Sequence, residues 1–199
     1  MRKLFIFDVE TTGLDPICHD IIELAYIIDI DNEVRDRGCL YIRPEHPGNI
    51  QEEALKVNGR TVEEISGWPS PDAAYRDFID MLSRHVDQYD SQDKFYPVAY
   101  NGHFDYDFLS CFFTRRNDPY FGSWFNHRLL DPLSLIRFLD FQGHIDSRNL
   151  KLKTMCDYFS ITPPQSGGFH DAIYDVEMLR QLFYRVLEFI YPPEVSSHV

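Results

Sequence analysis

Residues 3–13 read Lys-Leu-Phe-Ile-Phe-Asp-Val-Glu-Thr-Thr-Gly, and this stretch decides the fold that we expect for the chain. Its first part, residues 3–9, is apolar on both faces, which is typical of a strand buried inside a sheet. Because side chains alternate along a strand, Asp8 and Glu10 leave from the same face at its carboxyl end. Ligands of open α/β sheets bind beyond the carboxyl ends of the strands, so this pair marks a candidate site.

The rest of the pattern predicts one α/β domain over residues 1–191, followed by a short polar tail at 192–199. Three strands followed by helices that alternate with strand-like runs indicate a layered domain with a mixed sheet flanked by helices. Further strands are expected at residues 21–30, 38–42 and 95–100. Helices are expected at residues 51–58, from 61 onward, and at 71–86, 104–115, 150–159 and 171–190.

The composition excludes several classes of protein. Hydrophobic residues make up 44% of the 199 residues and charged residues 26%, which is ordinary for a globular domain. The sequence contains no run of about 18 apolar residues, so we expect neither a membrane-spanning helix nor a membrane partner. The apolar run before Asp8 is too short for a signal peptide. Four scattered cysteines predict reduced thiols and a cytoplasmic location.

The charge balance bears on possible partners. The 19 basic and 32 acidic residues give a net charge of −13 at pH 7. Such a balance argues against a long, sequence-independent grip on a phosphate backbone. It does not exclude an enzyme that acts on nucleic acid, because divalent cations held by some of the carboxylates would invert the local field.

Two further acidic residues fall where helix periodicity predicts apolar ones. At about 100° per residue, Asp175 lies on the same stripe of the last helix as Leu179. By the same spacing, Asp105 lies on the apolar stripe of helix 104–115, in line with Phe108. A lone buried carboxylate costs several kcal/mol unless it is paired or bound to a metal. Both residues are therefore candidates for a polar site.

Asp8, Glu10, Asp105 and Asp175 together predict an oxygen-rich cluster that suits hard cations such as Mg²⁺ or Mn²⁺. Four carboxylates would repel one another at neutral pH, and two divalent ions would relieve that repulsion. Two ions about 3.5–4 Å apart are a recurring arrangement for in-line cleavage of phosphodiesters. His170 precedes Asp175 by five residues and follows a glycine-containing loop, where a histidine can move over a substrate and titrate near neutral pH.

Three motifs, taken in order, resemble those of the DnaQ-like exonuclease superfamily in its histidine-containing DEDDh form. They are Phe-Asp-Val-Glu-Thr-Thr-Gly at 7–13, Ala-Tyr-Asn-Gly-His-Phe-Asp at 99–105 and His-Asp-Ala-Ile-Tyr-Asp at 170–175. The resemblance runs from about residue 3 to residue 190. It implies a ribonuclease-H-like fold and a metal-dependent 3′→5′ exonuclease. The expected products are nucleoside 5′-monophosphates from DNA or RNA, with single-stranded or frayed ends as substrates.

The same resemblance implies roles for the five candidate residues. Asp8, Glu10, Asp105 and Asp175 would hold two divalent metal ions, and His170 would be the general base. One ion and the histidine would activate water, and the other ion would stabilise the leaving 3′-oxygen.

Contacts with the substrate are also implied by the resemblance. The backbone after Glu10 would meet the 3′-terminal nucleotide, and Leu14 matches an apolar residue that wedges against terminal bases. Phe104 matches an aromatic position that stacks on a base, whereas Val57 stands where ribonuclease T has an aromatic residue. For Leu14, Phe104 and Val57, packing in the core is the alternative role. The expected contacts are Thr11, Thr12, Leu14, Val57, Asn101 and Phe104.

Two other functions stay open at this point. A phosphodiesterase that acts on very short oligonucleotides would suit the acidic surface. A non-catalytic module that binds nucleic-acid ends would suit the fold, but it predicts the loss of an acidic residue or of the histidine, and all five are present. Besides a nucleic-acid 3′ end, the expected partners are a second copy of the chain and a polymerase or another replication or repair protein.

Overall fold

The computed structural model describes residues 2–163 and 172–192. At its centre is a four-stranded sheet in the order β3-β2-β1-β4. β1 pairs antiparallel with β2, β2 pairs antiparallel with β3, and β4 joins β1 in parallel, so the predicted mixed sheet is confirmed. The strands are β1 (Lys3–Thr11), β2 (Ile21–Ile30), β3 (Glu33–Tyr41) and β4 (Tyr96–Val98).

Helices cover both faces of the sheet, which confirms the predicted α/β layers. One 3₁₀ turn at Pro47–Asn49 precedes them. In chain order the helices are α1 (Glu52–Asn58), α2 (Val62–Ser66), α3 (Pro71–Ser83), α4 (His103–Arg115), α5 (Phe121–Trp124), α6 (Pro132–Phe141), α7 (Leu152–Tyr158) and α8 (Ala172–Ile190).

The two faces of β1 pack against different helices. Phe5 and Phe7 are fully buried in a cluster with residues of α3 and α4. Leu4 and Ile6 point to the opposite face, in a cluster with residues of α8. Burial of each large apolar side chain contributes about 1.5–3 kcal/mol, so this alternation holds the strand's orientation firmly. The next residue in the Leu4–Ile6 series is Asp8, which therefore leaves from the α8 face of the sheet.

β3 differs from its predicted bounds of 38–42. The observed strand begins at Glu33, because the connection from β2 is a tight hairpin through Asp31 and Asn32. Both turn residues have positive φ angles, 52° and 72°, as in the turn type whose twist matches paired strands. The first half of β3 is charged and exposed, so its pairing comes from the turn and not from an apolar pattern.

α5 and α6 are absent from the sequence-based prediction. The start of α6 nevertheless carries a recognisable signal, because the Asp131 side chain accepts a hydrogen bond from Leu133 N–H and Pro132 occupies the first turn. The buried positions Leu133, Ile136 and Leu139 follow at helical spacing. β4 is shorter than the predicted 95–100 and α3 shorter than 71–86.

Two further observations concern the composition-based expectations. Within residues 2–163 and 172–192, no helix is long and apolar enough to cross a membrane. Cys18, Cys39, Cys111 and Cys156 all lie in this part of the chain, and each is a free thiol. The division into a domain over 1–191 and a tail stays a prediction.

Candidate active site

The carboxyl end of β1 runs past the end of its neighbour. β4 pairs with Leu4, Phe5 and Ile6 and stops there. The edge of β1 beyond that point meets Asp105, which lies in the first turn of α4 and is 6% exposed. Its Oδ1 atom accepts a hydrogen bond from Val9 N–H at 3.1 Å. This bond joins the second motif to the first at the residue between Asp8 and Glu10.

The turn that delivers Asp105 depends on two unusual positions. Asn101 has a φ of 57°, and its N–H donates to Asp131 Oδ1 at 3.0 Å. At Gly102, an added Cβ would lie 2.6 Å from the Cβ of Ala99 and 2.9 Å from its carbonyl oxygen, so a larger residue would push the turn apart. The small residues Ala99 and Gly102 of the second motif are therefore needed to bring α4 close to β1.

Asp175 occupies the first turn of α8, which packs on β1 and β2. Ala172 and Leu179 on either side of it are buried, and Asp175 itself is half-buried. This placement confirms the stripe position expected from helix periodicity. Asp107, by contrast, is exposed on α4.

Glu23 is a site residue that sequence reasoning missed. It lies directly opposite Glu10 in the β1–β2 register, so both side chains leave from one face of the sheet. Glu23 is only 3% exposed and is neutralised by Arg60, with Nε–Oε1 at 2.5 Å and Nη2–Oε2 at 3.0 Å. The available signal was an acidic residue between apolar ones in the strand 21–30, which also contains Asp29.

Burial and mutual repulsion raise the pKa of these carboxyl groups. The pKa of Asp8 lies well above its usual range because of burial first, and then because of the charges of Asp105, Glu10 and Asp175. Burial, followed by the charge of Glu23, raises the pKa of Glu10 to about 8. Burial also raises the pKa of Asp105 to about 7, against the opposing effect of the Val9 hydrogen bond. The charges of Asp105 and Asp175 thus add to the effect of burial on both Asp8 and Glu10.

The chemistry of this donor set fits a hard divalent cation, because oxygen is the only ligand type and the groups carry excess negative charge. Within residues 2–163 and 172–192, no group of three or more His, Cys, Asp and Glu side chains is arranged so that it could hold a metal ion. A cation would therefore have to draw the carboxylates together from the positions that they occupy in the structure.

Without divalent ions, we expect the free energy of unfolding to fall as the pH rises from about 5 to about 8. Folded Glu10 keeps its proton up to about pH 8, whereas an ordinary glutamate releases it near 4.5. The folded state therefore binds more protons in this window, and raising the pH favours unfolding. Urea denaturation in EDTA measures the slope, and added Mg²⁺ should remove it.

Glu10→Gln is the control for this pH effect. It removes the titrating group, so we expect a flatter pH dependence in EDTA than that of the unchanged chain. Stability that rises over the same pH range in EDTA would contradict the charge balance that we assign to the cluster.

Arg60→Gln tests the ion pair between Arg60 and Glu23. The substitution leaves Glu23 buried without its cation, and we expect it to lower the free energy of unfolding by about 3 kcal/mol. The double variant with Glu23→Gln removes both charges and should recover most of that loss. Denaturation curves of Arg60→Gln and of the double variant measure both changes in the free energy of unfolding. Arg35→Gln is the control. Arg35 forms an exposed pair with Glu33, and its loss should cost about 1 kcal/mol or less.

Leu14 and Val57 are too exposed to be core residues. Leu14 is 77% and Val57 62% exposed, which excludes the packing alternative for both. Phe104 is half-buried and contacts Phe108, with ring centroids 4.8 Å apart, so packing accounts for part of its surface. Asn101 is exposed at the same end of the sheet.

Thr11 and Thr12 have buried side chains. The Thr11 carbonyl accepts a hydrogen bond from Asn58 Nδ2 at 2.9 Å, which joins the end of α1 to the end of β1. The Thr12 N–H donates to the Asp20 carbonyl at 2.9 Å, so this amide is already engaged within the protein. His170 lies outside the described residues, and its role as a base stays a prediction.

Comparison with known families places this geometry in context. A family model, RNase_T, described as "Exonuclease", matches residues 5–183. A PolC-type DNA polymerase III of Oceanobacillus iheyensis is 29% identical over 194 residues, which are 98% of this chain and 12% of the polymerase. The corresponding polymerase of Halalkalibacterium halodurans is 30% identical over 186 residues, 94% of this chain and 11% of that protein. The chain therefore spans little more than a tenth of the length of these relatives.

Solved structures share the fold at low sequence identity. E. coli exonuclease I in complex with a dA16 oligonucleotide has a TM-score of 0.74 and 16% identity, over 95% of this chain and 41% of that one. Cell-death related nuclease 4 has a TM-score of 0.72 and 16% identity, over 95% of this chain and 64% of that one. These similarities confirm the expected ribonuclease-H-like architecture.

Proposed function

The chain belongs to the exonuclease family, and from this we propose that it is a metal-dependent 3′→5′ exonuclease that releases nucleoside 5′-monophosphates from DNA or RNA. The observation that carries the proposal is the gathering of Asp8, Glu10 and Asp105 at the end of β1, where burial and repulsion raise their pKa values. Such a concentration of negative charge is suited to divalent cations and, through them, to a phosphodiester.

Asp8, Glu10, Asp105 and Asp175 are the residues that would hold two divalent ions, Mg²⁺ or Mn²⁺. When bound, such ions supply positive charge that lowers the pKa of an attacking water and stabilises the leaving oxygen. The protein's own part is to hold the four carboxylates on three separate elements, β1, α4 and α8. His170 would accept the proton from the water.

The 3′ end of a nucleic-acid strand is the proposed substrate. Leu14 and Val57 expose apolar surface, Phe104 lies in the first turn of α4, and Asn101 lies in the turn before it. Bases stack on and pack against such surfaces without sequence preference. With a net charge of −13, the chain is suited to holding only the last few nucleotides, not a long stretch of backbone.

A polymerase is the proposed protein partner, because the similar PolC-type chains are DNA polymerases in which the matched segment occupies 11–12% of the length. E. coli exonuclease I, which shares the fold, is seen in complex with a dA16 oligonucleotide. A homodimer and a cytoplasmic location remain predictions from sequence.

The direct test is digestion of labelled single-stranded DNA, single-stranded RNA and a mismatched primer, side by side with Mg²⁺. We expect stepwise shortening from the 3′ end with release of mononucleotides. Turnover on dinucleotides, compared with longer strands, separates this activity from a phosphodiesterase of very short oligonucleotides. Shortening from the 5′ end, or cutting of a circular single strand, would contradict the proposal.

A further inference from the structure

The loop between β1 and β2 (residues 12–20, the β1–β2 loop) presents apolar surface beside the carboxylates. Leu14 is 77% and Ile17 79% exposed, more than any other Leu, Ile or Val side chain in residues 2–163 and 172–192. The loop follows Glu10 after a single residue, so any shift of its backbone moves these two side chains relative to the metal-binding candidates. An exposed loop of this length is ordinarily mobile.

Bonds within the β1–β2 loop restrain it. Thr12 N–H donates to the Asp20 carbonyl, and Asp20 N–H donates to Thr12 Oγ1, both at 2.9 Å. His19 N–H donates to the Asp15 carbonyl at 2.8 Å, and Ile17 N–H donates to Asp15 Oδ1 at 2.8 Å. These bonds close the loop on itself but do not fasten it to the helices around the site.

Gln51 N–H and Asn49 Nδ2 join the loop to the segment before α1, through the carbonyls of Thr12 and Cys18, both at 2.9 Å. Arg115, the last residue of α4, joins the loop to that helix. Its Nη2 donates to three carbonyl oxygens of the loop, those of Pro16 and Ile17 at 3.0 Å and that of His19 at 2.9 Å. Its Nη1 donates to the buried carboxylate of Asp20. One guanidinium thus holds four acceptors of a single loop, which the compact ammonium of a lysine cannot reproduce.

The packing of His19 against Gly13 also indicates that the loop is restrained. At Gly13, an added Cβ would lie 2.2 Å from the ring of His19, so the ring fills the space beside the backbone that carries Leu14. His19 is itself buried. The loop is therefore packed in one arrangement, with Leu14 and Ile17 left projecting.

Asp20 extends the connection to a third segment. Its Oδ2 accepts a hydrogen bond from His46 N–H at 2.8 Å, and its Oδ1 lies 2.9 Å from His46 Nδ1. The chain continues from His46 into α1, which carries Val57. The pair of Arg115 and Asp20 therefore joins the three parts of the chain that bear Leu14, Val57 and the metal-binding candidate Asp105.

The length of α4 fixes the separation between Asp105 and Arg115. Asp105 and Arg115 are ten residues apart on one helix, or about 15 Å along its axis. Asp105 is bonded to Val9 at one end of the helix, and Arg115 holds the β1–β2 loop at the other. The helix thereby sets the position of the loop relative to the carboxylates.

We propose that Arg115 is a positioning residue for the nuclease reaction: through the β1–β2 loop it holds Leu14 and Ile17 where they bear on the bases at the strand end. The inference rests on the proposed function. Arg115 touches neither the substrate nor the reacting phosphate. Its loss should therefore weaken the binding of a strand without altering the chemistry at an isolated phosphodiester.

Arg115→Lys is the decisive variant, because it keeps the charge beside Asp20 and loses the planar fork. On a single-stranded oligonucleotide we expect KM to rise roughly 10–100-fold, the scale of a small displacement of a positioning group. On the p-nitrophenyl ester of thymidine 5′-monophosphate we expect kcat and KM to stay unchanged. That ester has one base and no neighbouring base for the loop to separate. Leu14→Ala should likewise raise KM for the oligonucleotide.

Arg180→Lys is the matched control. Arg180 also projects from a helix and clamps a turn, with Nε donating to the buried Asp29 at 2.7 Å and Nη2 to the Asn32 carbonyl at 2.9 Å. That turn joins β2 to β3, away from the carboxylates. The control variant should keep both activities, even where it lowers the thermal midpoint as much as Arg115→Lys does.

Hydrogen exchange of the loop amides gives a readout that does not depend on activity. Amides of residues 12–20 should exchange faster in Arg115→Lys than in the unchanged chain or in Arg180→Lys. Unchanged exchange, unchanged KM for the oligonucleotide, or an equal loss on both substrates would overturn the positioning role. If the unchanged chain hydrolyses neither substrate with Mg²⁺, the proposed function fails, whereas the exchange result still tests the clamp.

Discussion

Asp8→Asn is expected to lower the exonuclease rate by several orders of magnitude while the chain still folds. Burial first, and then the negative charges of Asp105, Glu10 and Asp175, raise the pKa of Asp8. A neutral amide in its place removes one charged oxygen ligand from the proposed ion site. It also relieves the repulsion, so the free energy of unfolding in EDTA should stay equal or rise.

The measurement pairs a nuclease assay in Mg²⁺ with titration calorimetry of the same ion. We expect Asp8→Asn to lose both activity and high-affinity Mg²⁺ binding. Asp107→Asn is the matched control, because Asp107 is an exposed carboxylate on α4 only two residues from Asp105. It should retain both properties. Near-normal activity of Asp8→Asn with Mg²⁺ would contradict the site assignment.

Alternation and helix periodicity are sufficient to predict the elements and faces that carry the four acidic residues, whereas their role as a metal site stays a prediction. Asp8 and Glu10 were placed by the two-residue repeat of β1, and Asp105 and Asp175 by the positions that they occupy on buried helical stripes. These predictions depend only on local geometry, which the sequence carries directly. After burial, the charges of Asp105 and Asp175 contribute to the raised pKa values of Asp8 and Glu10, as expected for carboxylates that face one site.

The residues that sequence reasoning missed depend on contacts between distant segments. Glu23 is part of the site because the β1–β2 register sets it opposite Glu10, and Arg60 is relevant because it reaches Glu23 from 37 residues away. The grip of Arg115 on the β1–β2 loop spans 95 residues to Asp20. Periodicity within one segment carries no information about such pairs.

β3 and α6 illustrate two different reasons for missed elements. The first half of β3 has no apolar pattern to detect, because it is exposed and its pairing follows from the Asp31–Asn32 turn. α6 could have been found, since Asp131 and Pro132 form a standard helix start before Leu133, Ile136 and Leu139. The first half of β3 therefore cannot be predicted from a local pattern, whereas α6 can.

His170→Ala is expected to lower the rate by roughly 10²–10⁴-fold, the usual contribution of one general base. The prediction rests on the resemblance of residues 170–175 to the third exonuclease motif, since His170 lies outside the described residues. His170 is not among the four proposed ligands, so Mg²⁺ binding should persist. The contrast with Asp8→Asn, which should lose both, separates a base from a ligand.

His170→Asn and the pH dependence complete the test. An amide cannot accept a proton, so the asparagine variant should do no better than alanine. In the unchanged chain the rate should rise with pH as the histidine loses its proton and then level off, and neither variant should show that rise. Rates at saturating Mg²⁺ across this range, together with calorimetry of the ion, measure both properties. Variants that keep the full rate, or lose Mg²⁺ as completely as Asp8→Asn, would remove His170 from the role of base.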